Sequence, residues 1–289
     1  MTASAVAEAA RAAEDAGFDA VYVTDHPAPD QRWLDGGGHH ALEPTVALSF
    51  AAAATARVRL QTNVYVAAYR NPFLAAKAIA SLDALSGGRV VLGVAAGYLR
   101  PEFGALGVDF EERNDLLDET IDVMRRVWTE DEVGVEGRHF RSRAVTIRPR
   151  PASPGGPPIW VGGNSTAAIR RAVARGQGWV PFPNPPAASR AVKTPAITDL
   201  ATLAARLHLL AGEVERAGRS TPLDVCFAPF SAPTATLRSG DGSRLADEAA
   251  AAAELGVTWM TVGLDGVGSM AEWRSLVDVL ASDVVGSGT

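Results

Sequence analysis

A histidine beside a carboxylate at the end of an apolar run is the first place where this chain offers proton chemistry. Ala20-Val21-Tyr22-Val23-Thr24 leads directly into Asp25-His26-Pro27. An imidazole takes up and releases protons near neutral pH, so His26 is a candidate general acid or base. The competing reading is a histidine that only hydrogen-bonds a loop. Other polar clusters close apolar runs in the same way: Thr62-Asn63-Val64-Tyr65, then Ala96-Gly97-Tyr98 followed by Glu102, then Gly162-Gly163-Asn164-Ser165-Thr166. The last of these opens straight into a helical pattern. A glycine turn at a helix start leaves amides unpaired, and the helix dipole favours an anion there. Ser165 or Thr166 could add a hydroxyl donor, and Arg170 or Arg171 a nearby charge. A phosphate is the natural ligand of such a turn. The alternative is that Asn164 or Ser165 simply caps the helix.

Other reactive side chains carry weaker signals. His39 and His40 sit in a Gly-rich loop, which suits a surface position better than a metal site, and no metal is predicted. His139 and His208 lie away from the strand ends and read as structural. Cys226 is the only cysteine, which excludes an intrachain disulfide and a cysteine-based zinc site. The only lysines, Lys77 and Lys193, do not follow a glycine loop, so there is no Walker-type phosphate site. There is no G-x-S-x-G elbow. Gly266-x-Gly268-x-x-Ala271 resembles a dinucleotide fingerprint, but no strand follows its helix, and it reads as a turn. Glu111-Glu112 and Asp118-Glu119 fall on a helix face that reads as solvated. Trp33, Phe103, Phe182 and Phe230 either line an apolar pocket or belong to the core.

The elements that must hold these residues alternate. Val6, Ala9, Ala10 and Ala13 have helical spacing, and Gly17 is a stop signal. Ala20–Thr24 then reads as a strand, its unbroken apolar run suiting a parallel sheet. Helices follow at Pro44–Ala56, Pro72–Leu85, Glu111–Trp128, Ser165–Arg175, Asp199–Ala217, Ser243–Leu255 and Ser269–Ala281. Strands fall between them at Val58–Val66, Arg89–Ala95, Pro158–Gly162, Gly178–Phe182, Leu223–Ala228 and Val257–Val262. In the Glu111–Trp128 helix, Leu117, Ile121, Met124 and Trp128 share one face. This rhythm predicts a parallel α/β fold of TIM (β/α)8 type. Seven core strands are countable where a closed barrel needs eight, and a strand before Met1 is the natural missing piece. No linker divides the chain, so a single domain over 1–289 is expected. A hairpin or loop insertion over 133–157 and a Pro-rich loop over 183–198 interrupt it.

Composition narrows the class further. Of the 289 residues, 47% are hydrophobic and 21% charged, which suits a globular chain with a buried core. A formal net charge of −6 argues against nucleic acid as a partner, because phosphate neutralisation needs a basic face. The Ala-rich runs Ala51–Ala54 and Ala249–Ala253 are too short to span a membrane. Met1–Phe18 carries Glu8, Arg11, Glu14 and Asp15 and reads as a helix, not a signal peptide. A cytoplasmic location is expected.

Taken together, the strand-end segments resemble those of the bacterial luciferase-like flavin and deazaflavin oxidoreductases, above all the branch that uses coenzyme F-420. The resemblance runs from Ala12 to about Phe182. It rests on AEDAGFDAVYVTDH (13–26), YRNPFLAAKAIASLDALSGGRVVLGVAAGYLRPEFGALGVDFEER (69–113) and PPIWVGGNSTAAIRRA (157–172). It implies a TIM-like barrel holding an isoalloxazine-type ring, with His26 near the reactive face and able to act as an acid/base. It implies that Asp25 hydrogen-bonds the ring and that a non-proline cis peptide at Asn63–Val64 forms a bulge behind it. Gly97 and Tyr98 would stand near ring or substrate, and the turn from Gly162 through Gly163, Asn164 and Ser165 to Thr166 would bind the cofactor phosphate. The implied activity is hydride transfer between F-420 and a small-molecule substrate, by a homodimer. A reduced-FMN monooxygenase using oxygen is the alternative, and a degenerate flavin-binding barrel without turnover is the second. No pair of lysines is available for a sugar phosphate, which disfavours a glucose-6-phosphate oxidising role. Two features depart from the family pattern: the absent first strand, and Gln177 in GQGW (176–179), where an acidic residue is common.

Overall fold

The computed structural model describes residues 2–187, 189 and 194–285. Part of the Pro-rich loop expected over 183–198, with Lys193, therefore lies outside the described residues, as does Met1. The helices in chain order are α1 (Ala3–Asp15), α2 (Gln31–Asp35), α3 (Pro44–Ala54), α4 (Pro72–Ser86), α5 (Arg100–Ala105), α6 (Arg113–Thr129), α7 (Thr166–Arg175), α8 (Leu200–Arg216), α9 (Pro233–Arg238), α10 (Ser243–Glu254) and α11 (Met270–Leu280). The strands are β1 (Ala20–Val23), β2 (Arg59–Val66), β3 (Val90–Ala95), β4 (Val133–Glu136), β5 (Arg141–Val145), β6 (Ile159–Gly162), β7 (Gly178–Val180), β8 (Asp224–Phe227) and β9 (Trp259–Met260). Seven of them are the expected strands of a mostly parallel sheet, and β4–β5 is the expected antiparallel hairpin. No helix among the described residues is long and apolar enough to cross a membrane.

The chain forms two compact units, one of residues 22–159 and one of the residues up to 21 with those from 160 onward. In the first unit β2 lies between β1 and β3. β2 and β3 run parallel from Leu60 opposite Val90 to Val66 opposite Ala95. Their side chains are almost wholly buried, as continuous apolar runs in a parallel sheet require. The predicted α6 face is the buried one: Leu117, Ile121, Met124 and Trp128 all lie in the core, and the Trp128 indole donates to the Ala76 carbonyl of α4 at 3.0 Å.

The run SLDALSGGR (81–89) is the most recognisable stretch of the sequence, and its work here is structural. Gly87 and Gly88 close α4 with φ of +71° and +86°, the left-handed region that glycine enters without a Cβ penalty. The turn aims Arg89 at α3, whose last carbonyls lack helical partners. The guanidinium donates to the Ala52, Thr55 and Val58 carbonyls. Asp83, fully buried, accepts from the Val90 amide and from the Ser153 amide and hydroxyl.

The second unit holds β6-β7-β8-β9 in hydrogen-bonded order, all parallel. Trp160 and Trp179 fill its interior, and Gly178 is glycine because a Cβ there would sit 2.5 Å from the Trp160 ring. Cys226 on β8 is fully buried. β9 is shorter than expected, covering only Trp259–Met260.

Candidate active site

His26 and its neighbours all belong to the first unit. Asp25 is 2% exposed and its carboxylate is engaged by the protein. Oδ2 accepts from the Val66 amide at 2.8 Å and from Arg70 at 2.6 Å, and Oδ1 accepts from Arg70 at 3.0 Å. Arg70 also reaches Glu43 at 3.5 Å and lies over the Tyr65 ring at 4.0 Å. Burial opposes the guanidinium charge, but Asp25 outweighs it and raises the Arg70 pKa. Burial likewise pushes the Tyr65 phenol well above its ordinary value. Asp25 thus ties the end of β1 to the end of β2.

The His26 ring is packed into an aromatic cluster. Trp33 lies 4.3 Å away, tilted by 36°, while His39 at 5.3 Å and Tyr98 at 6.0 Å meet it edge-on. Trp33 comes from α2, a single turn too short to show periodicity. Asp30 caps that turn by accepting from the Trp33 amide at 3.2 Å. The chain then folds back on the indole: the Gly38 amide donates to the Trp33 carbonyl, and a Cβ at Gly38 would sit 2.2 Å from the ring. The Gly-rich loop thereby delivers His39, whose Nε2 lies 2.8 Å from the Thr24 hydroxyl. His39 is exposed as expected, but it is oriented, which the loop composition did not reveal.

Glu102 is the neighbour that the sequence placed after a strand end without a role. It is 0% exposed. Oε1 accepts from the Ala28 amide at 3.2 Å, and Oε2 accepts from the Tyr69 hydroxyl at 2.8 Å. The same Oε2 lies 3.4 Å from His26 Nδ1, a buried atom that completes no hydrogen bond among the described residues. Burial pushes the Glu102 carboxyl up, but its partners His26, Tyr69 and Ala28 prevail and hold it below the usual carboxylate range. Burial, reinforced by Glu102, raises the Tyr69 phenol far above its ordinary value, so it stays a donor. The turn that feeds α5 makes this possible. Gly97 has φ of +83°, and a Cβ there would stand 2.6 Å from Val66 Cγ1. Pro101 in the first turn of α5 is the sequence signal that a helix begins here.

The Asn63–Val64 peptide is cis, at the position the resemblance implies. The register with β3 breaks between Thr62 and Tyr65 at that point. Asn63 and Val64 are half-buried, whereas the residues on either side of them in β2 are buried. Tyr98 is 40% exposed, and burial of the remainder raises its phenol pKa.

The glycine turn belongs to the second unit. Gly163 has φ of +121°, its amide donates to the Val180 carbonyl at 3.0 Å, and its carbonyl accepts from the Trp179 indole at 2.8 Å. Asn164 is fully buried and faces inward. It donates to the Phe182 and Pro195 carbonyls and accepts from the Phe182 amide, while its own amide donates to the Thr194 hydroxyl. Ser165 caps α7 by accepting from the Ala168 amide at 3.1 Å. Both readings of this turn therefore have a share. Asn164 braces it and Ser165 caps the helix. The groups that suit an anion are the half-buried Ser165 and Thr166 and the first-turn amides of α7. Arg170 pairs with Glu213 of α8 at 2.9 Å.

Of the two readings left open for Phe103, the core one holds: it packs on Tyr69 and Phe110. Lys77 donates to the Arg148 carbonyl. One sequence reading needs correction. Glu112 and Glu119 do not lie on a purely solvated face, because both hold His139.

Residues 1–239 match the family model of luciferase-like monooxygenases, and the chain belongs to that family. It is 38% identical over 177 residues to an F-420-dependent glucose-6-phosphate dehydrogenase of Intrasporangium calvum, covering 58% of this chain and 50% of that protein. It is 34% identical over 174 residues to an F-420-dependent hydroxymycolic acid dehydrogenase of Mycobacterium tuberculosis, covering 59% of this chain and 47% of the relative. The chain thus spans about half the length of these curated relatives. The solved structure of the coenzyme F-420 dependent tetrahydromethanopterin reductase from Methanopyrus kandleri superposes with a TM-score of 0.76 at 16% identity, over 100% of this chain and 96% of that one. That likeness establishes the fold as the luciferase-like α/β barrel type expected from the strand–helix alternation.

Proposed function

We propose that this protein is an F-420-dependent oxidoreductase that transfers a hydride between the deazaflavin and a small organic substrate, with His26 as the acid/base. The observation that carries the reading is His26 itself. It sits at the end of a parallel strand, packed on Trp33 and Tyr98 and with a buried carboxylate behind Nδ1. Kinship with two F-420-dependent dehydrogenases supports the choice of cofactor.

The residues present suit such a group. The half-buried bulge at Asn63–Val64, with Gly97 and Tyr98, is assigned to the ring. In the second unit, taken by itself, the hydroxyls of Ser165 and Thr166 and the first-turn amides of α7 suit a phosphate, with Gly162, Gly163 and Asn164 shaping the turn. The deazaflavin supplies the hydride chemistry when bound. The protein orients the substrate and moves one proton at the His26 imidazole. Asp25 acts one step removed: with both oxygens engaged, it anchors Val66 and Arg70 beside the bulge.

The substrate class stays at small organic molecules, since Lys77 is engaged by a backbone carbonyl. A cytoplasmic homodimer is part of the proposal, and Val46 and Phe50, 56% and 46% exposed one turn apart on α3, are apolar surface for it. The deciding experiment is parallel titration with F-420 and FMN, read by ring fluorescence, followed by an assay with the cofactor that binds. Tighter binding of F-420 is expected. Exclusive binding of FMN would favour the oxygen-using chemistry that the same fold supports, and binding of neither would leave a barrel without redox function.

A further inference from the structure

We propose that Glu102 is a positioning residue that fixes His26 as the Nδ1–H tautomer, leaving Nε2 as the nitrogen that exchanges a proton with substrate. This deepens the reading of His26 as acid/base and rests on it.

The donors around Glu102 leave one arrangement. Its Oε1 is occupied by the Ala28 amide, which can only donate. Its Oε2 receives the Tyr69 hydroxyl at 2.8 Å and faces His26 Nδ1 at 3.4 Å. An ionised carboxylate accepts and cannot donate, so a neutral imidazole meets it favourably only with the proton on Nδ1. Nδ1 completes no hydrogen bond with any other group, Glu102 Oε2 at 3.4 Å is the acceptor that faces it, and a buried nitrogen left unmatched is costly. No other carboxylate is available to His26 among the described residues: Asp25 is held by Arg70 and Val66, and Glu43 caps α3 and reaches Arg70. The remaining groups facing the ring, Trp33, His39 and Tyr98, meet it through ring contacts. The separation is long for a hydrogen bond, as such contacts commonly are before substrate arrives. When Nε2 takes a proton from the substrate heteroatom, the ring becomes a cation with N–H at both positions, and the Glu102 charge lies behind it. When the ring returns that proton, Nδ1–H stays on Glu102. A hydrogen bond at one imidazole nitrogen setting the state of the other is a general device.

The test uses 15N-labelled protein without cofactor, followed through a pH titration to its alkaline plateau. Two-bond 1H–15N spectra distinguish the two tautomers, and with five histidines in the chain the His26 signals are assigned by their loss in His26→Gln. Wild type is expected to show Nδ1–H at His26. In Glu102→Gln the amide oxygen must stay on the Ala28 N–H, which turns the NH2 group toward His26 and converts it to Nε2–H. The same variant should lose about 100-fold or more in kcat with little change in KM or cofactor affinity. Tyr69→Phe, which keeps the carboxylate, should keep the Nδ1–H form. An Nε2–H or averaged His26 in wild type overturns the proposal, even if Glu102→Gln fails to fold. So does a Glu102→Gln protein that retains Nδ1–H. Failure to bind F-420 would remove the cofactor assignment and leave this spectroscopic result standing.

Discussion

His26 and Gly97 show how far single residues could be read in advance. His26 stood out as a titratable side chain at a strand end next to an aspartate, and its acid/base role belongs to the proposal. Replacing it with Ala should lower kcat by about 10²–10⁴-fold, the usual range for a lost acid/base, with cofactor affinity nearly unchanged; steady-state kinetics with a parallel titration checks both. Full turnover in that variant would remove the residue from the mechanism. Asp25 was expected to hydrogen-bond the ring, and no one-dimensional pattern reveals that Arg70, far along the chain, reaches both its oxygens. Glu102 was noticed without a role because its importance lies in burial, which sequence spacing does not encode. Gly97 is needed for its left-handed backbone and for the space beside Val66. Gly97→Ala should therefore cost about 1–3 kcal/mol in denaturant unfolding, the range for a non-glycine residue held in that region.

Among the elements, long periodic helices and apolar strands were foreseen to within a residue or two at most ends. The short helices α2, α5 and α9 were not, because five or six residues cannot display a helical period. Two of these missed turns carry Trp33 and Glu102, so the site was less legible than the fold. The β4–β5 hairpin was expected as an interruption, but its attachment to α6 was not. His139 holds Glu119 at 2.8 Å and Glu112 at 3.0 Å, and Glu119 also accepts from the His139 and Phe140 amides. Burial opposes the imidazolium, but the two carboxylates outweigh it and raise its pKa above the ordinary 6.5. A raised basic group stabilises the fold fully below 6.5, and that support is lost as pH climbs through the folded value. Glu119 is the converse: burial pushes it up, but His139 and the amides bring it below the ordinary 4.5. Its support is in force above 4.5 and lost as pH falls through the folded value. The clamp is therefore strongest between 4.5 and 6.5. His139→Gln should lower Tm more at about pH 5.5 than at about pH 9. An equal loss at both would show that His139 contributes packing alone.

For the molecule as a whole, the strand–helix alternation was enough to reach the parallel α/β fold because each parallel strand is an apolar run with a helix behind it, while the family was reached through the resemblance of particular segments. The most distinctive stretch, SLDALSGGR, marks kinship through architecture: it closes α4 and sends Arg89 to the end of α3. If F-420 is the true ligand, its presence at 100 times the dissociation constant should add about 2.7 kcal/mol to stability, and thermal unfolding with F-420 and FMN in parallel would reveal which one does so. Sedimentation velocity on the free protein would test the dimer, and Val46→Glu with Phe50→Glu should yield a slower-sedimenting species if α3 lies in the contact. One inner detail gives this protein a reporter of its own. Cys226 is the sole thiol in the chain and is sealed within β8, between β7 and β9. A thiol-specific dye can reach it only when those strands part, so labelling rates time their breathing without any engineered probe. Ligands that seat in the second unit should slow that clock, and ligands confined to the first should leave it running at its native pace.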